Sequence, residues 1–309
     1  MIKVHLDTDI GGDIDDLCAL AMLLKWSGVE IIGITTVADE GGKRAGYAKY
    51  ALRVSGRENV PVAAGADVSL GCYRFKPGYP IEEKYWPEPV SPLPGSLDDA
   101  LGILRNSIEQ GAIIIGIGPF TNFFLLDKKY PGLLSQANLY LMGGYIYPPR
   151  QGFPQWKNDM DYNVQLDVQS AKHVIEMCNP TLVPLNITVE TSLRRAYLRN
   201  LSQSVNPLAK IIAVQAEECA RDWNNEEKYG KTCVGLPDDT INFQHDSLAC
   251  AVALGWEGAE IDSVDLRLEL KNSWLTETID EFGKLTKIVT SIDGKSFNDF
   301  WADLLVRDL

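Results

Sequence analysis

The sequence predicts an α/β fold with a mainly parallel central sheet flanked by helices, closed by a small C-terminal β-hairpin and helix. Three observations lead there. Aliphatic runs of strand length alternate with helical patterns from Ile2 to Ile187. Several of these runs end alike, in polar residues that open the next helix. The last stretch changes character, with strand patterns at Glu260–Leu270 and Lys284–Ile292 and an amphipathic pattern at Ser296–Leu305. Alternation of this kind implies parallel βαβ units with right-handed crossovers, a Rossmann-like arrangement. The 309 residues are read as one domain, 1–309.

In order, Ile2–Leu6 starts a buried strand and Leu17–Leu24 carries the wide apolar face of a helix. Glu30–Ala38 is a second strand, Lys43–Val54 a helix and Val60–Ala64 a short third strand. Residues Gly71 to Ser96 interrupt the rhythm with prolines at 77, 80, 87, 89, 92 and 94 among Tyr73, Phe75, Tyr79, Tyr85 and Trp86. So long a loop, with that aromatic content, reads as a lid or a subunit contact. Helix Leu97–Gln110, strand Ala112–Gly118 and strand Asn138–Met142 follow. An irregular stretch, Tyr145–Met160, delivers Asp161, Asn163 and a helix at Asp167–Met177. Strand Thr181–Ile187 closes the series. Beyond it come a long helix at Pro207–Asn224, a polar segment at Asn225–Asp239 expected to be mobile, and an Ala-rich helix opened by His245-Asp246.

Composition narrows the function. Lys and Arg number 29 against 42 Asp and Glu, a net charge of −13, which argues against a nucleic-acid backbone binder or an anionic membrane surface as partner. No window reaches transmembrane length, and the N-terminus has no signal-peptide pattern, so a cytoplasmic protein is expected. The six cysteines are scattered without a C-x-x-C pair and read as free thiols. His5 is expected in the core of its strand and His173 on a solvated helix face.

The chemistry concentrates in Leu6–Asp16, where Asp7, Asp9, Asp13, Asp15 and Asp16 fall within ten residues. The run sits at a strand-to-helix turn, with Gly11 and Gly12 free to take the turn's backbone angles. Carboxyl ends of strands are where ligands bind in open α/β sheets. Helix capping accounts for one or two of these carboxylates but not five. A hard divalent cation in an all-oxygen site accounts for the rest. An EF-hand is excluded, because its fifth position would be Gly11 and its twelfth Cys18. The Asp-x-Asp opening also resembles the haloacid-dehalogenase phosphatases, although Gly11 stands where they want Thr or Val. A parallel sheet would gather Asp7, Asp9, Asp15, Asp16, Glu40, Thr121, Asn122, Met142, Asp161, Asn163, His245 and Asp246 around one crevice.

With these motifs in view, the chain resembles the inosine–uridine-preferring nucleoside hydrolase family. Its signature, Asp-x-Asp-x-Gly-x-Asp-Asp, is present with two extra residues before Asp15-Asp16. Further matches follow in order: Thr35-Thr36-Val37-Ala38, Pro61–Gly65, Gly118-Pro119-Phe120-Thr121-Asn122, Leu141-Met142-Gly143-Gly144, Asp161-Tyr162-Asn163, Val183-Pro184-Leu185, His245–Ala249, and Gly283–Thr286 with Asp293. The resemblance implies a Ca²⁺ held by Asp9, Asp16, the Thr121 carbonyl and Asp246, with Asp15 as general base. It implies His245 as the group that protonates the leaving base, and substrate contacts from Asp15, Glu40, Met142, Asn158, Asp161, Asn163 and Asp246. Gln155 competes with Asn158 for an upstream amide that reaches the sugar. Asp39-Glu40 replaces the family's Gly-Asn, Asp161 stands where many members have Glu, and residues 66–100 lack the expected His. Tyr145, Tyr147, Trp156, Trp223 and Tyr229 are candidates to stack on a base.

The implied activity is Ca²⁺-dependent hydrolysis of the N-glycosidic bond of a small-molecule nucleoside, giving ribose and a free base. The implied assembly is a homo-oligomer, a dimer or tetramer. Two other readings stay open: a hydrolase of a related N-ribosyl compound, suggested by Glu40, and a catalytically weak ribose- or nucleoside-binding protein.

Overall fold

The computed structural model describes residues 1–74, 78–79 and 82–307. Strand β1 (Ile2–Thr8) leads through the acidic turn into α1 (Asp15–Lys25), which opens on two carboxylates and ends on Lys25, as the helix dipole favours. Strand β2 (Val29–Thr36), α2 (Lys43–Val54) and β3 (Val62–Ala64) follow. A short α3 (Glu82–Tyr85) precedes α4 (Leu97–Glu109), which Ser96 and Asp99 close with a reciprocal capping box. Then come β4 (Ile113–Gly116), α5 (Thr121–Lys129), β5 (Asn138–Met142), α6 (Tyr162–Leu166), α7 (Val168–Met177) and β6 (Thr181–Val183).

These six strands lie in the order β3-β2-β1-β4-β5-β6, all parallel. The chain moves outward one way from β1 and then returns to β4 on its other side. That switch point opens a crevice at the carboxyl ends of β1 and β4. Apolar residues on the two sheet faces, Leu6, Ile115 and Met22 in one group and Ile114, Leu141 and Phe123 in the other, form the core.

Four expectations change, three in the chain's path and one at His173. The strand expected at Thr181–Ile187 stops at Val183, because Pro184 ends it and Leu185–Thr188 turns into α8. After the small β7 (Leu193–Arg194) and α9 (Leu198–Gln203), the long α10 (Pro207–Trp223) starts on an Asn206 cap. The segment expected to be mobile, Asn225–Asp239, is tied down instead. Arg195 pairs with Glu226, Arg194 with Asp239, and Asn225 donates to the Ile241 carbonyl. Strand β8 (Thr240–Asn242), paired with β7, leads into α11 (His245–Ala253).

The C-terminal hairpin is a three-stranded antiparallel unit, β9 (Ala259–Lys271), β10 (Trp274–Ile279) and β11 (Lys284–Ile292), with β9 in the middle, followed by α12 (Gly294–Val306). It joins the main sheet, because β11 pairs in parallel with β6, which makes one nine-stranded sheet with β10 at its edge. Trp274–Ile279 was missed because six residues carry too short an alternation to stand out from a turn.

The loop between β3 and α4 packs down rather than standing free. Trp86 stacks on Tyr47 at 4.6 Å, and Tyr73 bonds Thr121 at 2.9 Å. Phe75, Pro77 and Pro80 lie outside the described residues. Among those described, no helix is long and apolar enough to cross a membrane. All six cysteines are free, and Cys18, Cys178, Cys219 and Cys250 are buried. His173 is not on a solvated face: it is partly buried, 2.8 Å from Asp127 and edge-on to Phe124.

His5 is fully buried in β1, with Ser107 Oγ at 2.9 Å from Nδ1 and Thr35 Oγ1 at 3.0 Å from Nε2. Burial holds it neutral, lowering its pKa to about 3 from 6.5. The unfolded chain therefore binds a proton below pH 6.5 that the folded chain refuses, and stability falls as pH drops from 6.5 toward 3, by up to about 1.4 kcal/mol per pH unit. Buried Asp7, raised to about 7, titrates with the opposite sign, so the comparison is made against His5→Gln. Urea midpoints between pH 4 and 7 should fall more steeply in wild type than in the variant.

Candidate functional site

The acidic turn places its carboxylates by backbone first. Gly11 takes φ +94°, and a Cβ there would lie 2.4 Å from the Tyr47 ring, so only glycine fits beneath that aromatic. Thr8 donates to Asp16, and the Asp15 amide donates to Asp13 Oδ1 at 2.8 Å. Carboxylate oxygens of Asp13, Asp15 and Asp16 come within 4.8 Å of one another, close enough to share a cation. From the other side of the crevice, the first turn of α11 adds His245 and Asp246. Helix α11 packs against α1 and the ends of β4 and β5, which brings Asp246 beside Asp15 and Asp16.

These groups line one cavity of about 440 Å³, with Asp9, Asp13, Asp15, Asp16, Asn163, His245 and Asp246 as its polar part. Gly12, Gly78, Tyr79, Ile117, Met142, Trp156, Met160, Tyr162, Leu185 and Trp223 complete the walls. Asp9, Asp15, Asp16 and Asp246 are all buried. Burial and mutual repulsion push Asp15, Asp16 and Asp246 well above the usual carboxylate range and Asp9 to about 6. The counter-charge facing Asp9 and Asp16 is the fully buried Arg44 of α2. Its guanidinium donates to the Asp9, Ile10 and Ala38 carbonyls and lies 4.7 Å from the Tyr79 ring. One guanidinium among four buried carboxylates leaves a surplus of negative charge. An oxygen-only, buried, over-charged donor set fits a hard divalent cation.

His245 is held by Thr188, whose hydroxyl lies 2.7 Å from Nδ1, and its ring packs on Phe243 at 5.4 Å. Burial lowers its pKa to about 4, so it is neutral at pH 7. Thr188 donates onward to the Leu185 carbonyl, which assigns the ring proton to Nδ1 and leaves Nε2 as the bare nitrogen. Asn163 donates through Nδ2 to the Ile117 and Met142 carbonyls, both at 3.1 Å, and lines the cavity.

Several expected site residues point elsewhere. Asp7 is buried between Thr35 (2.5 Å) and Asn122 (2.7 Å) and does not line the cavity, which removes it as a phosphatase nucleophile. Glu40 is exposed on a turn beside α2, outside the cavity lining, while Asp39 is used up in accepting from Thr36 and the Arg44 and Ala45 amides. Asn158 spends its amide on the Leu275 carbonyl at 3.1 Å, and Gln155 donates to its own loop. Asp161, one methylene shorter than Glu, caps α6 through Val164 and takes the Gly144 amide at 2.6 Å. Thr121 lies at the start of α5 with its hydroxyl bonded to Asp167 at 2.8 Å. Of the aromatic candidates, Trp156 and Trp223 line the cavity, and Tyr229 braces Trp156 from behind at 5.4 Å. Tyr145 and Tyr147 do not line it.

Arg44 and Tyr79 were not anticipated at the site, and Asp13, counted in the acidic cluster, was given no role of its own. Asp13 lies in the two-residue insertion of the acidic motif, a signal that was available. Arg44 sits in the middle of a helix, and nothing local distinguishes it from a surface arginine.

Comparison with known proteins identifies the family and the fold. The family model for inosine-uridine preferring nucleoside hydrolases matches residues 4–299. A probable uridine nucleosidase 1 from Oryza sativa subsp. japonica is 26% identical over 242 residues, covering 72% of this chain and 70% of its own. Uridine nucleosidase 1 from Arabidopsis thaliana is 27% identical over 238 residues, covering 72% and 67%. Among solved structures, a purine-preferring ribonucleoside hydrolase from Gardnerella vaginalis superposes with a TM-score of 0.78 at 17% identity, covering 98% of both chains. The plant nucleoside hydrolase PpNRh1 gives 0.75 at 16% identity, covering 99% of both, and shares the fold. The chain belongs to the inosine-uridine preferring nucleoside hydrolase family, and it is an enzyme that hydrolyses the N-glycosidic bond of ribonucleosides.

Proposed function

We propose that the hydrolysis is Ca²⁺-dependent, with Asp9, Asp16, Asp246 and the Thr121 carbonyl as the cation's ligands and Asp15 as the general base. The observation that supports this most is the convergence of buried carboxylates from β1, α1 and α11 with one buried guanidinium among them. When bound, Ca²⁺ supplies the positive charge that lets these groups ionise together and a hard centre that orients oxygen donors. Asp13, closest to Asp15 and Asp16, is a further carboxylate of the same set.

Ribose faces Asp15, Asp246, Met142 and Asn163 in this reading, while Glu40, Asn158 and Asp161 leave the contact set for the reasons of geometry above. Rupture of the N-glycosidic bond builds positive charge on the sugar. The carboxylate wall stabilises that charge, and Asp15 accepts the proton of the attacking water. The departing base lies toward His245, Trp156 and Trp223. With its proton on Nδ1 and directed at Thr188, a neutral His245 offers the base an acceptor at Nε2, and it can protonate the leaving base only after Nε2 has itself gained a proton. Uridine, for which the curated relatives are named, and inosine head the substrate panel.

The test is ribose release from that panel by reducing-sugar assay, with and without a calcium chelator. Release should stop with the chelator and return with added Ca²⁺; chelator-insensitive turnover overturns the metal assignment. Asp15→Asn should lower kcat by about 10²- to 10⁴-fold, the usual worth of a general base. Because it removes one of several crowded charges, the variant should unfold at a urea concentration no lower than wild type. Protons and cation compete for carboxylates raised in this way, so calorimetric Ca²⁺ affinity should weaken from pH 7 to pH 5, by about tenfold per pH unit for each proton displaced.

A further inference from the structure

The wall of the cavity that carries Met160, Tyr162 and Asn163 is not built on the acidic turn. It hangs on β10, the outermost strand of the sheet, contributed by the C-terminal antiparallel strands. The side-chain amide of Gln165 pairs with Leu275 as a strand would. Its Oε1 accepts the Leu275 N–H at 3.0 Å, and its Nε2 donates to the Leu275 carbonyl at 2.8 Å. Asn158 donates to the same carbonyl at 3.1 Å. A sheet edge that would otherwise present open backbone groups is thus engaged by side chains from both ends of the wall segment.

Two residues along β10, on the same face as Leu275, Glu277 is buried against Asp161 and the Tyr145 amide. Neither of its oxygens completes a hydrogen bond with the described residues. Asp161 meanwhile joins the Gly144 amide at the end of β5 to the first turn of α6. Neither carboxyl lines the cavity, so neither has a part in the chemistry. Their shared position is between β10 and the helix that carries Asn163.

We propose that Gln165 and Glu277 are positioning residues for substrate binding, and that β10 is the splint that holds Asn163 and its neighbours at the cavity. This rests on the reading of Asn163 as a ribose contact. Two buried carboxyls that repel each other do not both ionise readily, and burial raises both, Asp161 to about 6, with Asp161 adding to the rise of Glu277. One proton held between them turns a repulsion into a hydrogen bond that closes the wall. A glutamine at 277, neutral and able to donate to Asp161, replaces that arrangement, whereas an alanine does not.

The experiment compares Gln165→Leu, Glu277→Ala and Glu277→Gln in the full chain. It reads KM and kcat with the best ribonucleoside, Ca²⁺ affinity by calorimetry, and hydrogen–deuterium exchange of residues 158–165 with and without ribose. Gln165→Leu and Glu277→Ala should raise KM by about tenfold, the worth of one ordinary hydrogen bond. They should leave kcat and Ca²⁺ affinity little changed and speed exchange in 158–165, while Glu277→Gln keeps the wild-type KM. An unchanged KM in folded Gln165→Leu and Glu277→Ala, even with lower thermal stability, overturns the proposal. So does a Glu277→Gln variant as impaired as Glu277→Ala. If wild type releases no ribose from any ribonucleoside, the assignment of the reaction fails by itself. Exchange then decides the positioning: ribose should protect 158–165 in wild type and not in Gln165→Leu, and equal protection in both overturns it.

Discussion

The structure turns on the repulsion among buried carboxylates at the carboxyl end of β1. Burying a charge without a partner is among the most costly arrangements in a protein interior. Here Asp9, Asp15, Asp16 and Asp246 are buried within one crevice. Arg44 offsets part of this, and it does so through the carbonyls of Asp9 and Ile10 rather than by bidentate pairing with a carboxylate. The backbone of the turn is held by the guanidinium while the carboxylate oxygens are left for something else. A turn stabilised for its own sake would have spent those oxygens on arginine forks.

The same constraint shapes what the cavity can accept. Among the described residues that line it there is no Lys or Arg, and the walls away from the carboxylates are aromatic or aliphatic. The field of such a cavity disfavours anionic ligands such as phosphorylated nucleosides and favours a polyol at the acidic end with a flat apolar group at the other. The hydrolysis of a neutral N-riboside meets both demands, since positive charge develops on the sugar next to the carboxylates. The neutral state of His245 belongs to the same economy: an imidazolium among apolar rings Phe243 and Trp156 would itself need a partner.

The other half of the site depends on the sheet rather than on charge. Strand order 3-2-1-4-5-6 opens the crevice between β1 and β4, and β11 then extends the sheet beyond β6 so that β9 and β10 follow. This extension reaches back to the substrate wall through Leu275 and Glu277. Elements more than one hundred residues apart therefore meet within the support of a single side chain, Asn163.

The sequence alone determined what local pattern can carry. Aliphatic runs with a period of two or near four located β1, β2, β5, α2 and α10, because hydrophobic periodicity is a local consequence of which face is buried. The density of carboxylates at a strand-to-helix turn pointed to the site, since that density has no stabilising explanation without a cation. The ordered motifs from Asp7 to Asp246 pointed to the family. Tertiary structure decided which polar side chains face the cavity. Asp161, Asn158 and Glu40 share the motifs' neighbourhood, yet two of them are consumed by Gly144, Val164 and the Leu275 carbonyl, and Glu40 is turned to the surface. Arg44 became part of the site only when α2 packed against β2 and β3 and reached the turn after β1, and Glu277 only when β10 folded back on α6. Side-chain direction at a strand end and contacts between distant segments are set by packing that no short window of sequence contains.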